Sequence, residues 1–237
     1  MSGSRLTQVS EAFKARMPAS LWRPLRAVAT AILTPLRFSM ATGHWTSSLR
    51  ASAQTRAGAP LPWYTYPAID FLSQRAFAGK DVLEFGGGQS TLWWAERAAT
   101  VLTVEEDPAW YALLAPQLPE NVTLHHSAVD FETRSIAHVR ALIGDNAIKL
   151  FDVIVIDGHL RRELVELAFN ALKPDGALIL DNSEGFGFVQ ALIGRRCMKI
   201  DFFGFAPGVS KRHCTSLVFV DQCFLLDPTV VIPVFDA

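Results

Sequence analysis

Asp81-Val82-Leu83-Glu84-Phe85-Gly86-Gly87-Gly88-Gln89-Ser90-Thr91 is the stretch that decides how this 237-residue chain folds. The apolar run Val82–Phe85 has the length of a buried strand. Three glycines follow it, and Ser90 and Thr91 then offer N-cap side chains to a helix through Leu92, Trp93, Trp94 and Ala95. The order strand, glycine turn, helix N-terminus lets backbone N–H groups approach a ligand without an intervening Cβ. No Lys-Ser or Lys-Thr pair closes the glycines, which excludes a phosphate-binding P-loop. Gly86 and Gly88 fit the dinucleotide spacing G-x-G-x-x-G, but residue 91 is Thr. What remains is an acid, Glu84, two residues before the first glycine. A carboxylate there suits a cationic ligand and repels a pyrophosphate. The same pattern also serves as a plain tight turn with an incidental acid.

Downstream, strand and helix patterns alternate. Val101–Val104 predicts a second strand, ending at Glu105-Glu106-Asp107. An acid at that tip suits ribose hydroxyls in a doubly wound fold, and Asp107 suits the N-cap of a helix over Pro108–Leu114. Val122–His125 predicts a third strand, with His126, Ser127 and Ala128 just beyond it, and a helix follows over Phe131–Ile143. Phe151–Ile156 is nearly all apolar, as in a parallel strand covered on both faces, and ends at Asp157-Gly158-His159. After a helix over Arg161–Leu172 and a Lys-Pro-Asp-Gly turn, Ala177–Leu180 predicts a fifth strand ending at Asp181-Asn182. A short helix lies within Gly185–Ile193. Ile200–Phe205 and Ser216–Val220 leave no room for a crossover helix, so they pair antiparallel. The expected class is α/β: a seven-stranded, doubly wound, Rossmann-like sheet with an antiparallel C-terminal strand pair, plus a helical N-terminal extension. Glu84, Glu105, Ser127, Asp157, Asp181 and Asn182 all fall at carboxyl ends of strands, where such sheets bind ligands.

Residues 1–67 form the extension and 68–237 the catalytic domain. The first 60 residues carry eight basic side chains against one acid, Glu11. Leu21, Trp22, Leu25, Val28, Ala29, Ile32, Leu33 and Leu36 fall at helical spacing. Pro18, Pro24 and Pro35 predict a break into short helices. The segment reads first as a flap packed on the domain, second as an arm on an anionic membrane surface, third as a targeting peptide. Pro62-Trp63-Tyr64-Thr65-Tyr66-Pro67 predicts a stiff strap that packs Trp63 and Tyr66, or a lid presenting His44, Tyr64 or Tyr66.

A formal net charge of -1 gives no electrostatic footprint for nucleic acid. Three cysteines without C-x-x-C spacing point to core thiols and a cytoplasmic setting, with membrane-peripheral contact through the arm as the alternative. No run of about 20 apolar residues predicts a spanning helix.

Residues 79–221 resemble the class I S-adenosylmethionine-dependent methyltransferases. The resemblance rests on Glu84-Phe85-Gly86-Gly87-Gly88, on Glu105, on Phe151–Asp157 and on Leu172-Lys173-Pro174-Asp175-Gly176-Ala177-Leu178-Ile179-Leu180. It implies that Gly86, Gly87 and Gly88 approach the methionine part of S-adenosyl-L-methionine with Glu84 nearby. Glu105 would hold the ribose hydroxyls, Ser127 or Ala128 would border the adenine, and Asp157 would lie beside the cofactor. A finer resemblance, to cation-dependent O-methyltransferases of the catechol type, implies Mg²⁺ held by Asp157, Asp181 and Asn182. The lysine expected after the first of these acids is absent, and His159 and Arg161 stand there instead.

His159 is the leading general base and Asp157 its neighbour in the catalytic set. His44, His213 and Glu184 follow. The expected activity is O-methylation of a small-molecule or glycan hydroxyl. The rivals are a non-catalytic binding protein of the same fold, docking through its basic arm, and an NAD(P)-dependent oxidoreductase. Methyl acceptor and oligomeric state are not written in the sequence.

Overall fold

The computed structural model describes residues 18–128, 132–145 and 149–227. The basic residues Arg5, Lys14 and Arg16, the acid Glu11 and the helix start expected at Phe131 lie outside them. Three helices come first: α1 (Ala19–Ala41), α2 (His44–Arg50) and α3 (Tyr66–Ser73). The sheet then forms from β1 (Asp81–Phe85), β2 (Thr100–Glu105), β3 (Val122–His126), β4 (Phe151–Ile156) and β5 (Leu172–Leu180), closed by β6 (Met198–Phe205) and β7 (Arg212–Phe219). Between them lie α4 (Gln89–Ala95), α5 (Pro108–Leu114), α6 (Ala137–Asp145), α7 (Arg161–Ala171) and α8 (Phe188–Leu192).

The strand order is β3-β2-β1-β4-β5-β7-β6. The first five strands are parallel, and β7 runs antiparallel to both β5 and β6. This is the architecture the sequence predicts. The Lys173–Gly176 turn lies inside β5 as an irregularity, where the register with β4 jumps between Phe151 and Val153. Every residue of β4 is buried. Val153 and Val155 enter one apolar layer with Val82, Trp93, Trp94 and Ile179. Ile154 and Ile156 enter the other with Leu83, Phe85, Leu164 and Leu180. Strand alternation thus fills both faces of one sheet.

The strap is part of this core. Tyr64 and Tyr66 are buried, and the Trp94 indole N–H donates to the Tyr64 hydroxyl at 3.1 Å. Thr65 N–H donates to Thr215 Oγ1 and the Thr65 hydroxyl donates to Phe202 O, each at 2.9 Å. The strap therefore packs across β6 and β7, and the division at residue 67 falls within α3 rather than between two cores. Cys214 and Cys223 are buried free thiols.

Two expectations for the N-terminal segment are corrected. Pro24 and Pro35 do not break it: α1 is one helix of 23 residues. Each proline removes one N–H, but the carbonyls left over belong to Ser20 and Ala31, on exposed residues where water can serve them. Nor is α1 a packed flap, because none of its residues is buried. Among the described residues, no helix is long and apolar enough to cross a membrane.

Asp107 caps α5 as expected, its Oδ1 accepting from Ala109 N–H and Trp110 N–H at 2.8 Å each. Asp107→Ala is expected to lower the unfolding free energy by about 1 kcal/mol in urea titration, with an unchanged denaturant slope.

Candidate functional site

The glycine turn is held from beneath. The helix after it starts one residue earlier than Ser90: Gly88 is the N-cap of α4, and Ser90 and Thr91 lie in its first turn. Gly88 N–H donates to the Thr91 hydroxyl at 3.0 Å, and that hydroxyl donates to Glu84 Oε2 at 2.5 Å. Thr103 donates to the same oxygen at 3.1 Å. Glu84 is fully enclosed behind the turn, and the two hydroxyls it accepts from tie it to the loop. Burial pushes its carboxyl from 4.5 up to about 7, against the lowering pull of the Ser90, Thr91 and Thr103 hydroxyls. Its Oε1 is buried without a hydrogen-bond partner. Gly86 has φ +90°, and a Cβ there would stand 2.5 Å from Gly158 N. Only glycine lets the ends of β1 and β4 approach so closely.

Above this turn opens a cleft of about 520 Å³. Its wall brings together Gly86, Gly87, Gly88, Glu105, Asp157, His159, Asp181 and Asn182, all anticipated from the sequence. Ser127 and Ala128 are not part of that wall. Ser127 is buried at the end of β3, its N–H donating to Glu105 O at 2.9 Å and its hydroxyl unpartnered among the described residues. Ala128 is exposed.

Glu105 accepts from Gly87 N–H at 2.7 Å and from Asp107 N–H at 2.8 Å. Each carboxylate oxygen keeps a second lone pair for a hydroxyl donor. Glu106, unassigned in the sequence, also lines the cleft and reaches His159. Its Oε1 accepts from His159 N–H at 3.2 Å, and its Oε2 lies 3.5 Å from His159 Nδ1. Burial, then the charge of Glu105, raises the Glu106 carboxyl, and His159 partly offsets this. The two adjacent acids at the end of β2 thus serve different partners, Glu105 the glycine turn and Glu106 the His159 segment. Trp110 is a second addition: its indole N–H donates to Gly87 O at 2.7 Å and walls the cleft. Trp63 is a third, donating to Pro207 O at 3.1 Å.

The expected Mg²⁺ site is corrected. Arg161 holds the three residues assigned to it. Its Nη2 lies 2.9 Å from Asp157 Oδ1 and donates to Asp157 O at 2.7 Å. Its Nη1 donates to Asp181 O at 2.6 Å and to Asn182 Oδ1 at 3.2 Å. Asp181 Oδ1 accepts from the Thr215 hydroxyl at 2.8 Å. A guanidinium thus stands where the metal was expected, and the donor set does not fit a divalent ion. Burial raises Asp157 to about 6, with Arg161 pulling it down, and burial followed by the Asp157 charge raises Asp181. Among the described residues, no group of three or more His, Cys, Asp or Glu side chains is arranged to hold a metal.

Of the other histidines, His213 lines the cleft with its Nδ1 3.4 Å from Glu184 Oε1. His44 lies outside it, its Nδ1 accepting from Gly208 N–H at 3.3 Å and its ring near Phe38 and Tyr66.

The fold is that of the class I S-adenosylmethionine-dependent methyltransferases. No protein-family model and no curated protein matches the chain. Solved structures do. An O-methyltransferase from Bacillus cereus, in complex with SAH, is 16% identical over 84% of this chain and 97% of its own, with a TM-score of 0.55. TomG, the O-methyltransferase of tomaymycin synthesis from Streptomyces achromogenes, in complex with SAM, is 16% identical over 87% of this chain and 100% of its own, with a TM-score of 0.51.

Proposed function

We propose that this chain is an S-adenosylmethionine-dependent methyltransferase that methylates the oxygen of a small-molecule or glycan hydroxyl. The observation that carries the reading is one cleft lined by the Gly86–Gly88 turn, Glu105 and Asp157, with the His159–Glu106 pair on its wall. The site suits the cofactor. Its volume lies within the range of small-molecule sites. Behind the glycine turn a buried Glu84 oxygen, and at the end of β3 the Ser127 hydroxyl, have no partner among the described residues. Glu105 would take the ribose hydroxyls, the glycine turn would receive the methionine part, and Ser127 would border the adenine. When bound, the cofactor supplies a methyl group already activated on a sulfonium.

The chain's own residues then have modest tasks. The cleft aligns the acceptor and excludes water. His159 takes the hydroxyl proton, and Glu106 beside Nδ1 stabilises the imidazolium that results. Asp157, bound to Arg161, keeps that guanidinium at the cleft wall.

Calorimetry with S-adenosylmethionine, S-adenosylhomocysteine and NAD tests the cofactor. Micromolar binding of the first two and none of NAD is expected; the reverse order sinks the reading. A labelled-methyl screen over hydroxyl compounds then separates an enzyme from a binding protein. In that assay His159→Ala is expected to lower kcat by about a hundredfold or more and leave cofactor affinity within about twofold. Small, equal losses in both would remove His159 from the chemistry.

A further inference from the structure

A long row of exposed apolar side chains lies on α1, away from the cleft. Leu21, Leu25, Val28, Ile32, Leu36 and Met40 are each 50–60% exposed. At about 3.6 residues per turn they fall on one half of the helix circumference. Arg23, Thr30, Thr34 and Arg37 occupy the opposite half, with Arg26 at the border beside Trp22. The helix contains no acid.

An apolar face this wide, left without a partner among the described residues, needs an occupant. Charge identifies it. Three arginines on α1, and Arg5, Lys14 and Arg16 before it, meet a single acid, Glu11, within the segment. A second copy of the same helix would bring more arginines and no acids. An anionic lipid surface supplies both needs: acyl chains for the leucine face and headgroup phosphates for the guanidinium groups. The tryptophan at the border matches the depth at which indole prefers to sit.

The foot of the helix is tied to the cleft. Phe38 packs edge-on against Tyr66, with ring centroids 5.1 Å apart. The adjoining α2 holds the loop around Gly208 through Ser48 and His44. Ala206 and Val209 of that loop line the cleft. Trp45 and Leu49 on α2, and Phe186 on the cleft wall, are at least 60% exposed.

We propose that α1 is a membrane-surface anchor: it lies in the interface of an anionic bilayer, apolar face down, and holds the cleft rim beside the lipid. The proposal does not depend on the methyltransferase reading.

The test is sedimentation of the full chain with phosphatidylcholine vesicles, with and without about one-third phosphatidylglycerol. Binding at least tenfold tighter to the anionic vesicles is expected, weakening as salt is raised. Leu25→Glu with Ile32→Glu should abolish it. Arg23→Glu with Arg26→Glu should reduce it to the level on neutral vesicles. Both pairs lie on exposed positions, so the Tm of each variant should match the parent's, which separates lost docking from lost folding. Equal binding to neutral vesicles overturns the proposal. So does a chain that ignores both vesicles, including one that runs as a dimer dissociated by the glutamate pair, since a second copy would then be the occupant.

Discussion

Replacing Arg161 with methionine is expected to lower the unfolding free energy by about 3–5 kcal/mol at pH 8, with the deficit shrinking toward pH 5. Methionine keeps most of the stem and removes only the head. The head serves the backbone oxygens of Asp157, Gly158 and Asp181 and the side chains of Asp157 and Asn182. Its loss leaves the half-buried Asp157 and the buried Asp181 carboxyls, each raising the other's cost of ionisation, without that counter-charge. The pH dependence follows from the direction of their shifts. A carboxyl raised by folding contributes stability below its unfolded pKa and loses that contribution as pH rises through its folded value. For Asp157 the folded value is about 6 with Arg161 present, and removing the guanidinium moves it higher. The variant therefore recovers on acidification. Urea titrations at pH 5 and pH 8 measure this; equal losses at both would mean that the backbone carbonyl bonds alone matter. The same substitution bears on the metal. The Tm of the native chain should be indifferent to millimolar Mg²⁺ or to EDTA, because Arg161 already holds Asp157 Oδ1 and Asn182 Oδ1 and the Thr215 hydroxyl holds Asp181 Oδ1. A rise of several degrees with Mg²⁺ would restore the catechol-type assignment.

This pair of outcomes shows where sequence reasoning reaches and where it stops. The sheet was legible because it is written locally. Val82–Phe85 and Phe151–Ile156 have strand length and composition, their ends carry turn residues, and the short gap before Ser216 allows only an antiparallel return. Topology then gathers the strand ends, so Glu105, Asp157, Asp181 and Asn182 could be placed at one edge without knowing a single distance. What occupies the space between them was not legible. Arg161 lies four residues beyond Asp157, but its reach to Asp181 and Asn182 depends on β4 and β5 being neighbours. The depth of Glu84 was hidden for a similar reason. An acid at a strand end reads the same whether it faces the cleft or the helix packed behind it. The continuity of α1 was missed through too strict a rule. Proline breaks helices when the bereaved carbonyl is buried, and here water reaches it.

Glu84→Gln should make the protein more stable and a poorer binder. Glutamine can still accept from the Thr91 and Thr103 hydroxyls, so the support under Gly88 survives. What it removes is the free-energy cost of ionising a fully buried carboxyl. The rise from 4.5 to about 7 corresponds to about 3 kcal/mol once the group is charged. Because the shift is upward, the native chain holds this contribution below pH 4.5 and loses it as pH passes 7. Glutamine should thus raise stability by up to about 3 kcal/mol at pH 8 and change little at pH 5. Binding should move the other way. S-adenosylmethionine carries a net positive charge, and an ionised Glu84 under the glycine turn favours it through a medium that screens weakly. At effective dielectric constants near 20, one charge at such depth contributes on the order of 1–2 kcal/mol, or about tenfold in Kd. The native chain should bind more tightly as pH rises from 6 to 8, and the glutamine variant should bind about tenfold more weakly at pH 8 with that rise abolished. Calorimetry at pH 6 and pH 8, set beside urea titrations at pH 5 and pH 8, reads both effects. If the variant were stabilised but bound the cofactor with native affinity and native pH dependence, Glu84 would be a prop for the loop alone. If it were neither stabilised nor weakened, the carboxyl would already be neutral at pH 8, and the electrostatic part of cofactor recognition would have to come from Glu105 and Asp157.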